Sequence, residues 1–304
     1  MKALWSVLPI ELRSSRLLVI YLALGLVGGL VSSPIGAIVN YVLLIGYVAL
    51  ITWWLRNDHR PTDIDLEDEP SAQRDIAVVI VVAALALLAV SWFWFGPGPR
   101  QLFLSIRDNL VKGGVEAQLA RTFANAVVAL AVLLLPAVVV VLAARLRPRQ
   151  IALVPRRLGL GLVLCLIAFG LGLAAFLVGL PQTGWKGNHG LVWSLALFLA
   201  QAGINALPEE FIFRGIMLTR LLAIVRQPGT ALVLSSVLFS AFHIPSHLAQ
   251  PGHSPWWAVV LGSIVTPSYQ PTGLIWGYLC YRTRSIWPGV LWHTSGTVFG
   301  IVFW

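Results

Sequence analysis

Residues 76–95 read IAVVIVVAALALLAVSWFWF, a run without one charged side chain. A helix of about 20 apolar residues is long enough to cross the roughly 30 Å hydrocarbon layer of a bilayer. This run sets the reading of the whole chain as helical and membrane-embedded. By the same rule, apolar runs lie near 17–33, 36–55, 76–96, 122–144, 158–180, 191–219, 229–244, 256–281 and 285–304. The expected fold is all-α, a polytopic transmembrane helix bundle of about nine spans (eight to nine), with the chemistry in its C-terminal part. Ser32-Ser33-Pro34 alone separates the first two runs. Thr266-Pro267-Ser268-Tyr269-Gln270-Pro271 interrupts the eighth, which is expected to be broken.

Composition agrees. The 304 residues are 58% hydrophobic and 11% charged, against about 25% charged in soluble domains. A soluble core of this size cannot hide the difference, whereas lipid can. The 13 Trp suit membrane interfaces. The net charge of +9 sits in short loops between apolar runs, which reads as topology and anionic-lipid contact, with no nucleic-acid partner. Cys165 and Cys280 lie in apolar runs and read as buried thiols. The N-terminus lacks a clean cleavage site and reads as an uncleaved first span.

With the N-terminus in the cytoplasm, 15 Lys and Arg fall in inner loops and five (Arg100, Arg107, Lys112, Arg121, Lys186) in outer ones. The positive-inside rule therefore favours a cytoplasmic N-terminus; the expected location is a bacterial plasma membrane. Two parts are expected: N-terminal spans over 1–157 and a core over 158–304. The first part carries an acidic loop at 56–75, read as solvated and flexible. It also carries a helix at 100–120, with Leu102, Phe103, Ile106, Leu110 and Leu119 among charges, expected to lie in the interface. No internal repeat suggests a transporter of two halves.

Ionisable groups inside a membrane are costly and mark function. The first five spans hold almost none. The sixth reads Asn205-Ala206-Leu207-Pro208-Glu209-Glu210-Phe211-Ile212-Phe213-Arg214. Glu210 and Arg214, four apart on one face with Glu leading, form the better-oriented ion pair. Glu209 points about 100° away, on the face of Asn205, as a free carboxylate. The seventh span places Phe239 and His243 on one face, and the ninth places His293 and Thr297 on one face. Counted from the basic loops, Glu209, His243 and His293 lie roughly 12–21 Å deep, so they can share one cavity, expected to open more easily to the cytoplasm. A carboxylate and two imidazoles around a water are the ingredients of hydrolysis. His247 and His253, like His59 and His189, read as loop residues.

These motifs resemble the CPBP family of intramembrane proteases, which takes in CAAX proteases and bacteriocin-processing enzymes. The family pattern is EExxxR, then FxxxH, then HxxxN or HxxxD. Here it reads Glu209-Glu210 to Arg214 with Gly215 following, Phe239 to His243, and Gly273-Leu274-Ile275-Trp276-Gly277-Tyr278 through Pro288-Gly289 to His293. The resemblance covers roughly residues 191–304. It implies an intramembrane glutamate-type endopeptidase acting on a membrane-associated protein or peptide. Glu209 with His243 would activate water, and His293 would stabilise the oxyanion. Glu210 and Arg214 would hold the helix geometry. The family's last motif has Asn or Asp where this chain has Thr297, a shorter group with one donor in place of two. Ser295 or a water could compensate. A non-catalytic membrane factor (immunity, scaffold or regulation) is the alternative that Thr297 favours, and a proton-coupled transporter is a further one. The resemblance requires no metal or other cofactor. A zinc reading with Glu209, His243 and His293 as ligands stays open, although the HExxH spacing is absent. Oligomeric state is not legible.

Overall fold

The computed structural model describes residues 12, 14–32, 34–56, 72–177, 191–249, 255–269 and 272–303. All regular structure among them is helical. In chain order, α1 is Arg16–Ser32 and α2 Pro34–Trp54. α3 is Ala72–Phe95 and α4 Pro97–Lys112. α5 covers 117–143, α6 Leu158–Leu177 and α7 the long stretch 191–225. α8 is Pro228–Phe242 and α9 the short Ile244–Leu248. α10 is Trp256–Tyr269, α11 Thr272–Thr283 and α12 Trp287–Phe303.

Among the described residues each of the nine apolar runs is largely helical, and the eighth holds two helices, α10 and α11. Judged by length and composition, four described stretches are long and apolar enough to cross a membrane: Ala37–Trp54, Ala72–Phe95, Leu119–Ala143 and Pro228–Leu248. Arg16–Val31 and Leu158–Ile167 are apolar but shorter. α10 and α11, of 14 and 12 residues, rise only about 21 and 18 Å. The expected region 100–120 also divides: α4 ends at Lys112, and residues 117–120 already belong to α5.

The outer surface is apolar. Val31, Leu166 and Leu199 are 84%, 71% and 70% exposed. Such residues on many helices at once form a continuous lipid-facing coat, not the scattered apolar residues of a soluble surface. Together with the spanning helices, this makes the chain an integral membrane protein. Glu209, Glu210, Arg214 and His293 are buried inside.

Two prolines reshape long helices. α5 widens into π-helical turns at Leu130–Leu134 just before Leu135-Pro136, and α7 does so at Ala202–Ala206 just before Leu207-Pro208. Proline has no N–H for the carbonyl four residues back, and its ring collides with that carbonyl. Widening the preceding turn relieves both. α7 widens again over Glu210–Leu218, which carries the EExxxR motif. At Gly96, between α3 and α4, an added Cβ would lie 2.5 Å from the Trp92 carbonyl, so this tight turn demands glycine.

Two groups that the sequence reading put in loops are buried. Asp75 is 0% and Arg220 2% exposed. Arg220 Nη1 donates to Asp75 Oδ1 at 3.2 Å and Nη2 to the Gln150 carbonyl at 2.7 Å. The expectation of a solvated acidic loop is therefore wrong for Asp75, which sits in the first turn of α3 and docks that end on α7. The charge is kept inside because it is paired and hydrogen-bonded. The rest of the acidic loop, 57–71, lies outside the described residues, as do His59, His189 and His253. Cys280 is buried and Cys165 half-buried; neither is in a disulfide.

Candidate active site

Four helices bring the site together. Glu209 and Glu210 come from α7, where it passes from an α-helical to a π-helical turn. His243 caps the C-terminus of α8, and His293 comes from the middle of α12. α11 packs between α8 and α12 and closes the floor.

Glu209 is 7% exposed and lies between two rings. His243 Nε2 is 3.8 Å from Glu209 Oε1, and His293 Nε2 is 3.8 Å from Glu209 Oε2. Neither distance is a hydrogen bond; both leave room for a bridging water or substrate group. His243 Nδ1 is 2.9 Å from the Phe239 carbonyl. A carbonyl only accepts, so Nδ1 carries the proton there. In the neutral ring this leaves Nε2 as a lone pair facing a carboxylate oxygen. Two acceptors that close call for a donor between them, and a water molecule has two O–H groups to give.

Glu210 is 0% and Arg214 1% exposed. Arg214 Nη1 is 3.4 Å from Glu210 Oε1, and His293 Nδ1 reaches the same oxygen at 3.3 Å. Arg214 Nη2 also donates to the Gly273 carbonyl at 3.4 Å. Its guanidinium carbon lies 4.3 Å from the Phe239 ring centre and 5.4 Å from that of Trp276, a cation–π setting in a dry site. Trp276 stacks on His293 with centroids 4.0 Å apart and planes at 20°. His293 is thus held by a ring on its face and by Glu210 at Nδ1, while its Nε2 faces Glu209 beyond hydrogen-bond reach.

Asn205 donates to Gln201 Oε1 at 3.2 Å and lines the same cavity as Glu209. Phe239 also packs edge-on against His243, 4.9 Å between centroids. Ser295, a possible substitute for the missing amide, is 2% exposed and gives its proton to the Trp292 carbonyl at 2.7 Å. Thr297 lies on α12, but its side chain is outside the described residues. His247, expected in a loop, sits on α9 with its ring 6.4 Å from that of His243.

Sequence reasoning missed three contributors. Trp276 was visible only as part of a motif. Gly289 lets Glu210 in: a Cβ there would be 2.9 Å from Glu210 Oε2. The third is a set of arginines from α4 and α5, on the wall of the cavity.

That cavity holds about 930 Å³ and is lined by Glu209, His243, His293, Trp276 and Thr272 and by residues of α3, α4 and α5. Its lining includes Ser246 of α9 and Ala249 just after it, beyond the C-terminal end of α8, and the α4 helix. This is the end of the bundle opposite the Arg226 turn. Among the described residues, no group of three or more His, Cys, Asp and Glu side chains is arranged to hold a metal ion.

Residues 191–299 match the family Type II CAAX prenyl endopeptidase Rce1-like. The Rce1-like segment runs from the start of α7 into α12 and contains Glu209, Glu210, Arg214, His243, Trp276, Gly289 and His293. It agrees with the CPBP resemblance carried by the motifs, and it leaves α1 to α6 outside. No curated protein and no solved structure matches the chain.

Proposed function

We propose that this chain is an intramembrane glutamate-type endopeptidase that hydrolyses a peptide bond of a membrane-associated protein or peptide. The observation that supports it best is the pair of acceptors, Glu209 Oε1 and His243 Nε2, 3.8 Å apart on the wall of a roomy cavity. A water between them gives one O–H to each. As the water oxygen attacks the scissile carbonyl, Glu209 takes a proton and later passes it to the leaving amine. His243 is kept in the useful tautomer by the Phe239 carbonyl.

His293 faces Glu210 at one nitrogen and Glu209 at the other. With both nitrogens protonated, its Nε2–H donates to the oxyanion, while Trp276 and Glu210 fix the ring. Arg214 offsets the Glu210 charge. Thr297 would then be a supporting residue that the mechanism does not depend on. The substrate reaches the site within an integral membrane protein, so the partner is lipid-associated. The N-terminal orientation and a bacterial plasma membrane are part of this proposal.

The test is cleavage of a quenched-fluorescent peptide library by purified full-length protein in lipid. Wild type is expected to cleave, and Glu209→Gln to lose at least about 10³-fold in kcat, because the base is gone while the shape stays. Equal cleavage by both proteins overturns the mechanism. No cleavage by folded wild type favours a non-catalytic membrane factor.

A further inference from the structure

Part of the cavity lining comes from helices outside the Rce1-like segment, and three arginines stand on it. Arg100 and Arg107 of α4 and Arg121 of α5 all line it. The spacing is helical on both elements. Arg100, Phe103, Leu104 and Arg107 form one face of α4, and Arg121, Asn125 and Ala129 one face of α5. α4 therefore turns two arginines into the cavity lining and α5 one.

Charge placement makes these arginines unusual. Between Gly96 and Arg121 the chain carries Arg100, Arg107, Lys112 and Arg121 against Asp108 and Glu116 only. Asp108 pairs with Arg107 at 2.6 Å. Glu116 accepts from the Leu119 amide at the start of α5. Among the described residues Arg100 and Arg121 have no carboxylate partner. The positive-inside reading assigns these arginines to the poorer side for basic residues, so topology does not account for them.

Resting on the proposed peptidase reading, we propose that Arg100, Arg107 and Arg121 form a substrate subsite that binds a peptide carboxylate in the cavity of Glu209. Guanidinium forks bind carboxylates in a planar, bidentate fashion, which gives orientation as well as affinity. Phe103 and Leu104 between the arginines hold the apolar side chains next to that carboxylate. The arginines would keep the acidic part of the substrate away from the Glu209 carboxylate. The carboxylate comes either from the peptide's free C-terminus or from acidic side chains.

The experiment uses full-length protein in neutral-lipid nanodiscs and three matched peptides: one with a free C-terminal acid, its C-terminal amide, and one with Asp and Glu changed to Asn and Gln. Binding of fluorescent peptides is read by anisotropy on Glu209→Gln, so it does not depend on cleavage. Kinetics are read on the wild-type background. Arg100→Gln/Arg107→Gln/Arg121→Gln is expected to weaken the acidic peptide about tenfold or more in Kd and KM with kcat nearly kept. It should leave the neutralised peptide unchanged. Which neutralised peptide loses affinity for wild type identifies the source of the carboxylate. Each single variant should give a fraction of the effect, which guards against misfolding of the triple variant. Equal binding of acidic and neutralised peptides by wild type overturns the subsite. So does a loss confined to vesicles with anionic lipid, which would assign the arginines to headgroups. Loss of cleavage with retained charge-selective binding would sink the peptidase reading and leave the subsite standing.

Discussion

Arg214→Met tests the charge arrangement beneath the site. Arg214 is 1% exposed, and its Nη1 lies 3.4 Å from Glu210 Oε1. At that distance, with an effective dielectric constant near 20, the attraction is about 5 kcal/mol. Desolvation of both groups offsets much of it, so the intact pair adds little net stability. Removal of one partner is another matter. Glu210, 0% exposed, would keep a buried charge with, among the described residues, His293 Nδ1 beside it, at a cost of about 3–5 kcal/mol. Loss of the guanidinium from the face of Phe239, 4.3 Å away, adds about 1–2 kcal/mol. We expect Arg214→Met to lose about 4–7 kcal/mol, and Glu210→Gln alone about 3 kcal/mol or more. The double variant should recover at least about 2 kcal/mol relative to the sum, because neither orphaned charge remains. The assay is reversible unfolding in mixed micelles, followed by tryptophan fluorescence, for all four proteins. If Arg214→Met unfolds like wild type, or if the two single losses simply add, the buried-pair reasoning fails.

Two other substitutions separate site from scaffold. Gly289→Ala puts a methyl 2.9 Å from Glu210 Oε2. The carboxylate must shift from the position in which its Oε1 meets His293, so kcat should fall at least about tenfold for a stability loss of only about 1–3 kcal/mol, read by cleavage rate beside thermal unfolding. Asp75→Asn leaves Arg220 buried without its carboxylate at the other end of α3. Stability should drop by about 3 kcal/mol, while kcat per folded molecule stays the same, as measured by cleavage normalised to folded protein.

How much of this was legible beforehand differs between parts of the chain. The nine helical segments followed from apolar runs, because a segment in lipid must satisfy its own backbone and a helix does so locally. The Glu210–Arg214 pair followed from spacing alone, since four residues along a helix bring side chains together. The widened turns of α5 and α7 had a readable signal in Leu135-Pro136 and Leu207-Pro208. A uniform 3.6-residue period hid it. Asp75 was misplaced because a composition-based loop boundary cannot see a partner 145 positions away.

The sequence by itself therefore determined what is local: helix, apolarity, the charged groups retained inside, and the motifs. Only the tertiary structure decided what those groups face. It stacked Trp276 on His293, brought Gly289 against Glu210, and turned Arg100, Arg107 and Arg121 toward the cavity of Glu209. Each of these contacts joins helices far apart in the chain. Periodicity gives the face of one helix, whereas the partner of that face is set by how all the helices pack together.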